Sequence, residues 1–246
     1  MIIKGLIVGS AQLVLLGVFL IVPAGLIPGG TWNWERAIIF VAVYGLILEA
    51  AIVTFAVVAP ARLEARLKPP VSQKQPVTEQ VVTTIMFLTF LGWLVLIPVD
   101  VFYLKLLPAP TFAVSICGAV LSLFGFAIVL AAVYQNSFVI PIVEDQSERG
   151  QTLVDTGLYA FVRHPWYLGL LPFKAGSAVW LESYAGLIAV SVLLVVVIAR
   201  IVVEETVLQK TLPGYTEYMK KVRYRLVPFI WLAWYGDTPD FRGFSH

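Results

Sequence analysis

Tyr184-Ala-Gly-Leu-Ile-Ala-Val-Ser-Val-Leu-Leu-Val-Val-Val-Ile-Ala-Arg-Ile-Val-Val203 decides the fold. One charge, Arg200, interrupts a run long enough to cross the hydrocarbon of a bilayer, which takes about 20 residues. The run is not alone. Apolar stretches fall near 5–27, 37–59, 81–99 and 111–134, and a shorter one, carrying Pro172, Lys174 and Gly176, falls near 167–181. The chain is 59% hydrophobic and 13% charged, with mean hydropathy +0.88. A water-soluble domain carries about a quarter charged residues, so the solvent here must largely be lipid.

The expected architecture is all-α, a polytopic transmembrane helix bundle of five to six spans, with a cytoplasmic cofactor pocket built by the C-terminal half. The first run is too long for a signal-peptide core and reads as a retained span. The short stretch 167–181 is either a sixth span or re-entrant, turning at Glu182-Ser183-Tyr184. The positive-inside rule collects Lys4, Arg62, Arg66, Lys68, Lys74, Arg149, Arg163, Arg200, Lys210, Lys220, Lys221, Arg223 and Arg225 on one side, leaving Arg36 and Lys105 on the other. Both termini and the pocket are then cytoplasmic. The membrane is the plasma membrane in a prokaryote or the endoplasmic reticulum in a eukaryote.

A net charge of +2 with no basic tract argues against nucleic acid as a partner. The single cysteine, Cys117, lies in an apolar run and offers neither a disulfide framework nor metal-site spacing. No G-x-G-x-x-G or Walker pattern follows a predicted strand.

Polar chemistry concentrates in two places. Arg163-His164-Pro165 lies between apolar segments. Proline biases His164 out of the helical region and favours a helix starting at Pro165. A helix mouth with an arginine fork suits a small anionic group. Snorkelling by Arg163 and capping by His164 is the plainer alternative. Glu204-Glu205 closes the last apolar run and suits an ammonium or sulfonium partner, or simply an acidic helix start. The loop before Arg163 holds Glu144, Asp145, Glu148 and Asp155 against Arg149, a poor mouth for a polyphosphate cofactor. Residues 204–230 read as an amphipathic helix broken at Pro213-Gly214, with Tyr215, Tyr218, Met219 and Val222 on one face and Glu217, Lys220 and Lys221 opposite, resting in the interface plane. Glu49 and Lys174 lie inside spans, where charges usually find a partner, and pairing with each other is one option. Asp100 ends a span and is expected to face water.

Gln151-Thr-Leu-Val-Asp-Thr-Gly157-Leu-Tyr159, Arg163-His-Pro-Trp-Tyr167-Leu-Gly169, Glu204-Glu205, Leu208, Gly214-Tyr215, Tyr218 and Val222-Arg-Tyr-Arg-Leu-Val-Pro228 follow in order. Over 120–230 this pattern resembles the isoprenylcysteine carboxyl methyltransferase and phospholipid methyltransferase superfamily of integral membrane enzymes. Leu158 stands where that family often has proline, and Pro213 where it often has phenylalanine. The resemblance implies S-adenosylmethionine as methyl donor. It puts Arg163, His164, Pro165 and Tyr167 at the cofactor's carboxylate end, and Gln151, Leu153, Val154, Gly157 and Tyr159 along its loop. Glu205, with Glu204 second, would meet its ammonium, and Arg223 or Arg225 would orient the acceptor. The implied catalytic set is Arg163, Glu205 and Arg225. The implied acceptor is membrane-borne, an isoprenylcysteine-like carboxylate or another lipid. Residues 1–110 form a variable addition of transmembrane helices and 111–246 the methyltransferase core. Two rival functions remain, an NADPH-dependent membrane reductase of the sterol type and a non-catalytic membrane scaffold or transporter.

Overall fold

The computed structural model describes residues 2–60, 63–64, 67, 77–136 and 152–228. Gln151, most of the acidic loop before it and the cations Arg62, Arg66, Lys68 and Lys74 lie outside the described residues. The long elements are helices: α1 (Ile2–Leu26), α2 (Glu35–Val58), α3 (Val77–Val99), α4 (Phe112–Gln135), α5 (Pro165–Trp180), α6 (Tyr184–Thr211) and the short α7 (Tyr215–Lys221). A π-turn, Asp100–Leu104, extends α3, and a 3₁₀ turn, Gly157–Ala160, precedes α5.

Five of these helices, α1, α2, α3 with its π-turn, α4 and α6, are long and apolar enough to cross a membrane. α5, with 16 residues, is shorter than the roughly 20 a span requires. It nevertheless runs the bundle's length, from His164 beside Glu205 to Trp180 beside Arg36. Large apolar side chains such as Val14, Leu46, Val120, Phe124, Ile188 and Val195 point outward, where lipid is their natural solvent.

The helices meet as membrane helices do, through small residues. At the α4–α5 contact Gly125 and Gly169 bring the two backbones together; a Cβ on Gly169 would stand 2.6 Å from the Gly125 carbonyl oxygen. Ser122 and Ser177 share a hydrogen bond of 2.9 Å across the same seam. α3 packs along α6 and α1 against α2 and α3. The far end is filled by Leu16, Leu20, Trp93, Leu94, Ile97 and Leu181.

Two readings of charged residues are corrected. Asp100 is buried: its carboxylate accepts from Ser183 Oγ at 2.7 Å and from the Leu106 N–H at 3.1 Å, joining the end of α3 to the start of α6. Glu49 and Lys174 do not pair. Glu49 accepts from Ser10 Oγ at 3.2 Å, whereas the Lys174 ammonium lies 3.6 Å from the Phe90 ring centroid and 4.8 Å from those of Trp93 and Phe173. Aromatic faces supply the negative potential that a carboxylate was one option to give.

Candidate functional site

The site is assembled where three chain segments return to one end of the bundle. α5 starts at Pro165 with His164 as the preceding cap residue, as the proline predicts. Just before it, the Arg163 and His164 N–H groups donate to the carbonyls of Tyr224 and Arg225 at 2.9 and 3.0 Å. These two bonds fasten the tail beside the mouth of α5.

Glu204 and Glu205 are not at a helix start. α6 continues to Thr211, so both glutamates sit within its last turns. Their side chains point about 100° apart and enter different surroundings. Glu205 is 2% exposed. Its Oε1 accepts from Arg163 Nε at 2.8 Å and lies 3.1 Å from His164 Nε2; its Oε2 accepts from Arg225 Nε at 3.0 Å. The glutamate expected to greet a ligand's ammonium is therefore the internal counter-ion of two arginines. Arg163 is equally committed: its Nη1 donates to the Val222 carbonyl at 3.1 Å and, more weakly, to that of Met219, capping the end of α7. One donor stays unused, since Nη2 is buried without a partner among the described residues.

Glu204, with a side chain 25% exposed, is the more open carboxylate. It accepts from Tyr167 Oη at 3.2 Å and stands 3.9 Å from His164 Nδ1. Tyr167 in turn accepts from Arg200 Nε at 2.7 Å. Arg200, expected only as a topological marker, is 2% exposed and donates through Nη1 to Thr83 Oγ1 on α3 at 2.6 Å. The polar chain thus runs from α3 through α6 and α5 to the tail.

The approach loop is braced from α4. Gly157 has φ +60, a left-handed conformation, and a Cβ there would lie 2.5 Å from Gln135 Oε1. That oxygen accepts from the Leu158 N–H at 2.7 Å. Tyr159 Oη donates weakly to the Ala132 carbonyl at 3.4 Å. Its own carbonyl accepts from Tyr218 Oη at 2.7 Å. α7 does not lie free in an interface plane. Tyr215, Tyr218 and Val222 are buried against Leu212, Leu208 and Leu153, so its apolar face is a cover over the site. Val154 lies half-buried in the same strip. Burial, with the nearby Glu205 charge next, pushes the Tyr215 hydroxyl well above its ordinary pKa; burial does the same for Tyr218. Both stay neutral donors, and Tyr215 Oη has no partner among the described residues. Arg223 is exposed, leaving Arg225 as the tail arginine at the site.

Most of the side chains joined in this network fall in one block of sequence. Residues 113–213 match the phospholipid methyltransferase family model. No curated protein matches the chain. The phospholipid methyltransferase match agrees with the resemblance carried by the Arg163 and Glu204-Glu205 motifs, and it supports lipid-acting membrane methyltransferase chemistry. It begins with α4 and ends at Pro213, so it includes Arg163, His164, Tyr167, Arg200 and both glutamates. Thr83, Tyr218 and Arg225, with the carbonyls of Val222 and Tyr224, complete the network from outside it.

Sequence reasoning missed Arg200 and Thr83 as site residues. A charge three residues before the end of an apolar run was a sufficient signal for Arg200. Thr83 had none, because a threonine inside a span is ordinary.

Proposed function

We propose that the chain is an S-adenosylmethionine-dependent methyltransferase of the membrane, acting on a lipid-borne acceptor from the cytoplasmic face. The observation that carries this reading is a pair of donors without a partner among the described residues, Arg163 Nη2 and Tyr215 Oη, both buried beside an already neutralised Glu205. Buried donors without acceptors are rare, and two together suit an incoming carboxylate. The amino-acid end of S-adenosylmethionine has that group. Glu204 is the carboxylate open enough to face a cationic ligand atom. The methyl donor supplies a methyl group bound to a sulfonium.

The chain's own residues would supply position. Glu205 fixes Arg163 so that its free edge keeps one direction. Tyr218 and Gln135 fix the Gly157–Ala160 turn that carries the loop. α7 excludes water from above. Methyl transfer needs alignment above all, and a site held from three segments offers it. The tail arginine, Arg225, sits on the open side of Glu205, 20% exposed, where it can orient an acceptor's anionic group. An isoprenylcysteine carboxylate and a phospholipid head group both present such an anion.

The test is purified protein with methyl-labelled S-adenosylmethionine and a panel of phospholipids and prenyl-cysteines. Label entering any lipid acceptor is the expected result. Stabilisation by S-adenosylhomocysteine without effect from NADPH is the expected companion. Stabilisation by NADPH alone would overturn the proposal in favour of a reductase.

A further inference from the structure

Arg200 and Glu204 stand four residues apart on α6. Opposite charges at that spacing share a helix face and ordinarily meet. Here the contact between them runs through a third group, the Tyr167 hydroxyl on α5. Arginine has donors only, so the 2.7 Å bond from Arg200 Nε makes the Tyr167 oxygen an acceptor. The hydroxyl's own proton is then directed to Glu204 Oε2, 3.2 Å away. A second restraint acts on the same guanidinium, whose Nη1 donates to Thr83 Oγ1 on α3 at 2.6 Å. Thr83, Tyr167 and Arg200 are all buried, so bulk water does not compete for these bonds.

Glu205, one residue along, shows what direct pairing does to a glutamate here. Arg163 Nε and Arg225 Nε reach its two oxygens, and its charge is spent inside the protein. Glu204 is treated differently. A neutral hydroxyl orients its carboxylate without cancelling the charge, and part of the side chain stays open. Glu204 and Glu79 both attract Arg200. Its Nε, however, is aimed at the Tyr167 oxygen, which lies against Glu204. A phenylalanine at 167 would keep the ring and empty that place, leaving Nε to face the Glu204 carboxylate across it.

We infer that Tyr167 is a positioning residue whose hydroxyl spaces Arg200 from Glu204 and so reserves the Glu204 charge for a cationic ligand atom. The spacing itself stands on the hydrogen bonds. The identity of the cation, the sulfonium of the methyl donor, rests on the methyltransferase reading. Without the hydroxyl, Arg200 closes on Glu204 and competes with the ligand. It follows that Arg200 favours the site only while Tyr167 is intact. Once the hydroxyl is gone, removing the arginine as well should return the charge to Glu204.

The experiment takes two readings from the full chain in detergent. One is the ratio of affinities for S-adenosylmethionine and the uncharged S-adenosylhomocysteine, by titration calorimetry; the other is the thermal midpoint. Tyr167→Phe should lower the ratio by about tenfold. Adding Arg200→Gln should recover most of that loss, a rescue that a merely structural tyrosine does not predict. An unchanged ratio in Tyr167→Phe overturns the inference, and so does a folded double variant with no recovery. The midpoints decide the matter if the double variant does not fold. Glu204→Gln should lower the midpoint more in the Tyr167→Phe background than in wild type, because a direct pair with Arg200 has formed there. Equal losses in the two backgrounds overturn the spacer. Wild type that binds neither ligand sinks the methyltransferase reading, and the midpoints then decide the spacer alone.

Discussion

Glu205 and Glu204 are neighbours in sequence with opposite duties. Glu205 is enclosed by Arg163, His164 and Arg225, and removing it would leave two arginines without their acceptor. Breaking a buried pair from one side costs about 3–5 kcal/mol. Glu205→Ala should therefore lower the thermal midpoint in detergent markedly and abolish turnover, with the lost stability identifying its structural share. Glu204→Gln should behave differently. Its side chain is a quarter exposed and, among the described residues, holds the Tyr167 hydroxyl alone within hydrogen-bonding distance, so folding should survive. S-adenosylhomocysteine affinity is expected to change little, because that ligand lacks the sulfonium charge, while S-adenosylmethionine should weaken by about tenfold, a charge-assisted contact being worth roughly 1.5–3 kcal/mol. Equal loss for both ligands would count against the assignment of Glu204 to the cation. At this scale the sequence picked out side chains that the fold brings together, and it misjudged their partners. Arg163 and Glu205 were legible as complementary charges facing an external ligand. That they spend their charge mostly on each other depends on where the tail returns, which no local pattern encodes.

Helices were legible from apolar period and proline placement, and the predicted spans agree closely with α1 to α6. Two elements departed. α6 runs on past the glutamates to Thr211, because no residue between Val203 and Thr211 stops a helix and Pro213 does. α7, read as an interfacial helix, turns its tyrosines into the protein. The amphipathic pattern was right, but lipid and protein compete for the same apolar face, and composition does not choose between them. The α4–α5 seam gives a sharp prediction. Gly169→Val would push a side chain into the α4 backbone, and neither helix has a flexible atom there to yield. Overpacking costs typically about 1–3 kcal/mol, and the variant should unfold earlier on heating while Ser177→Ala, two turns away, is milder. α7 is also tethered by Lys221, which donates to Asp155 at 2.8 Å. That hydrogen bond and charge hold the Asp155 carboxyl below its ordinary pKa. The tether is thus fully present above the ordinary carboxylate range and fades as pH falls through the lowered value. Proteolysis within 212–222 should rise on acidification below about pH 4, and Lys221→Met should remove that pH dependence.

At the scale of the whole molecule, six helices alternate in direction and gather the chemistry at one end. The other end is closed by a reciprocal clasp: Arg36 Nη1 donates to the Trp180 carbonyl at 3.0 Å, and Trp180 Nε1 donates to the Arg36 carbonyl at 3.0 Å. Glu182 adds an ion pair to Arg36 at 3.3 Å. In a Cys117→Ser background, Glu217→Cys on α7 and Glu35→Cys beside the clasp should react with an impermeant maleimide from opposite faces of sealed vesicles. Reaction of both from one face would refute the alternating arrangement. Net composition announced a membrane bundle. It did not announce that α3, expected as part of a variable addition, packs along α6 and lends Thr83 to the same network as Arg163.

The fastening of the tail to the mouth of α5 has a consequence in time. Arg163, His164 and Glu205 are all synthesised before Tyr224 and Arg225, whose carbonyls and guanidinium complete them. Until those last residues emerge, the helices can already be inserted while the arginine at the mouth of α5 and its glutamate lack their final brace. The protein is then membrane-resident but unfinished, and a chain cut short before residue 222 would keep its address in the bilayer and lose its workshop.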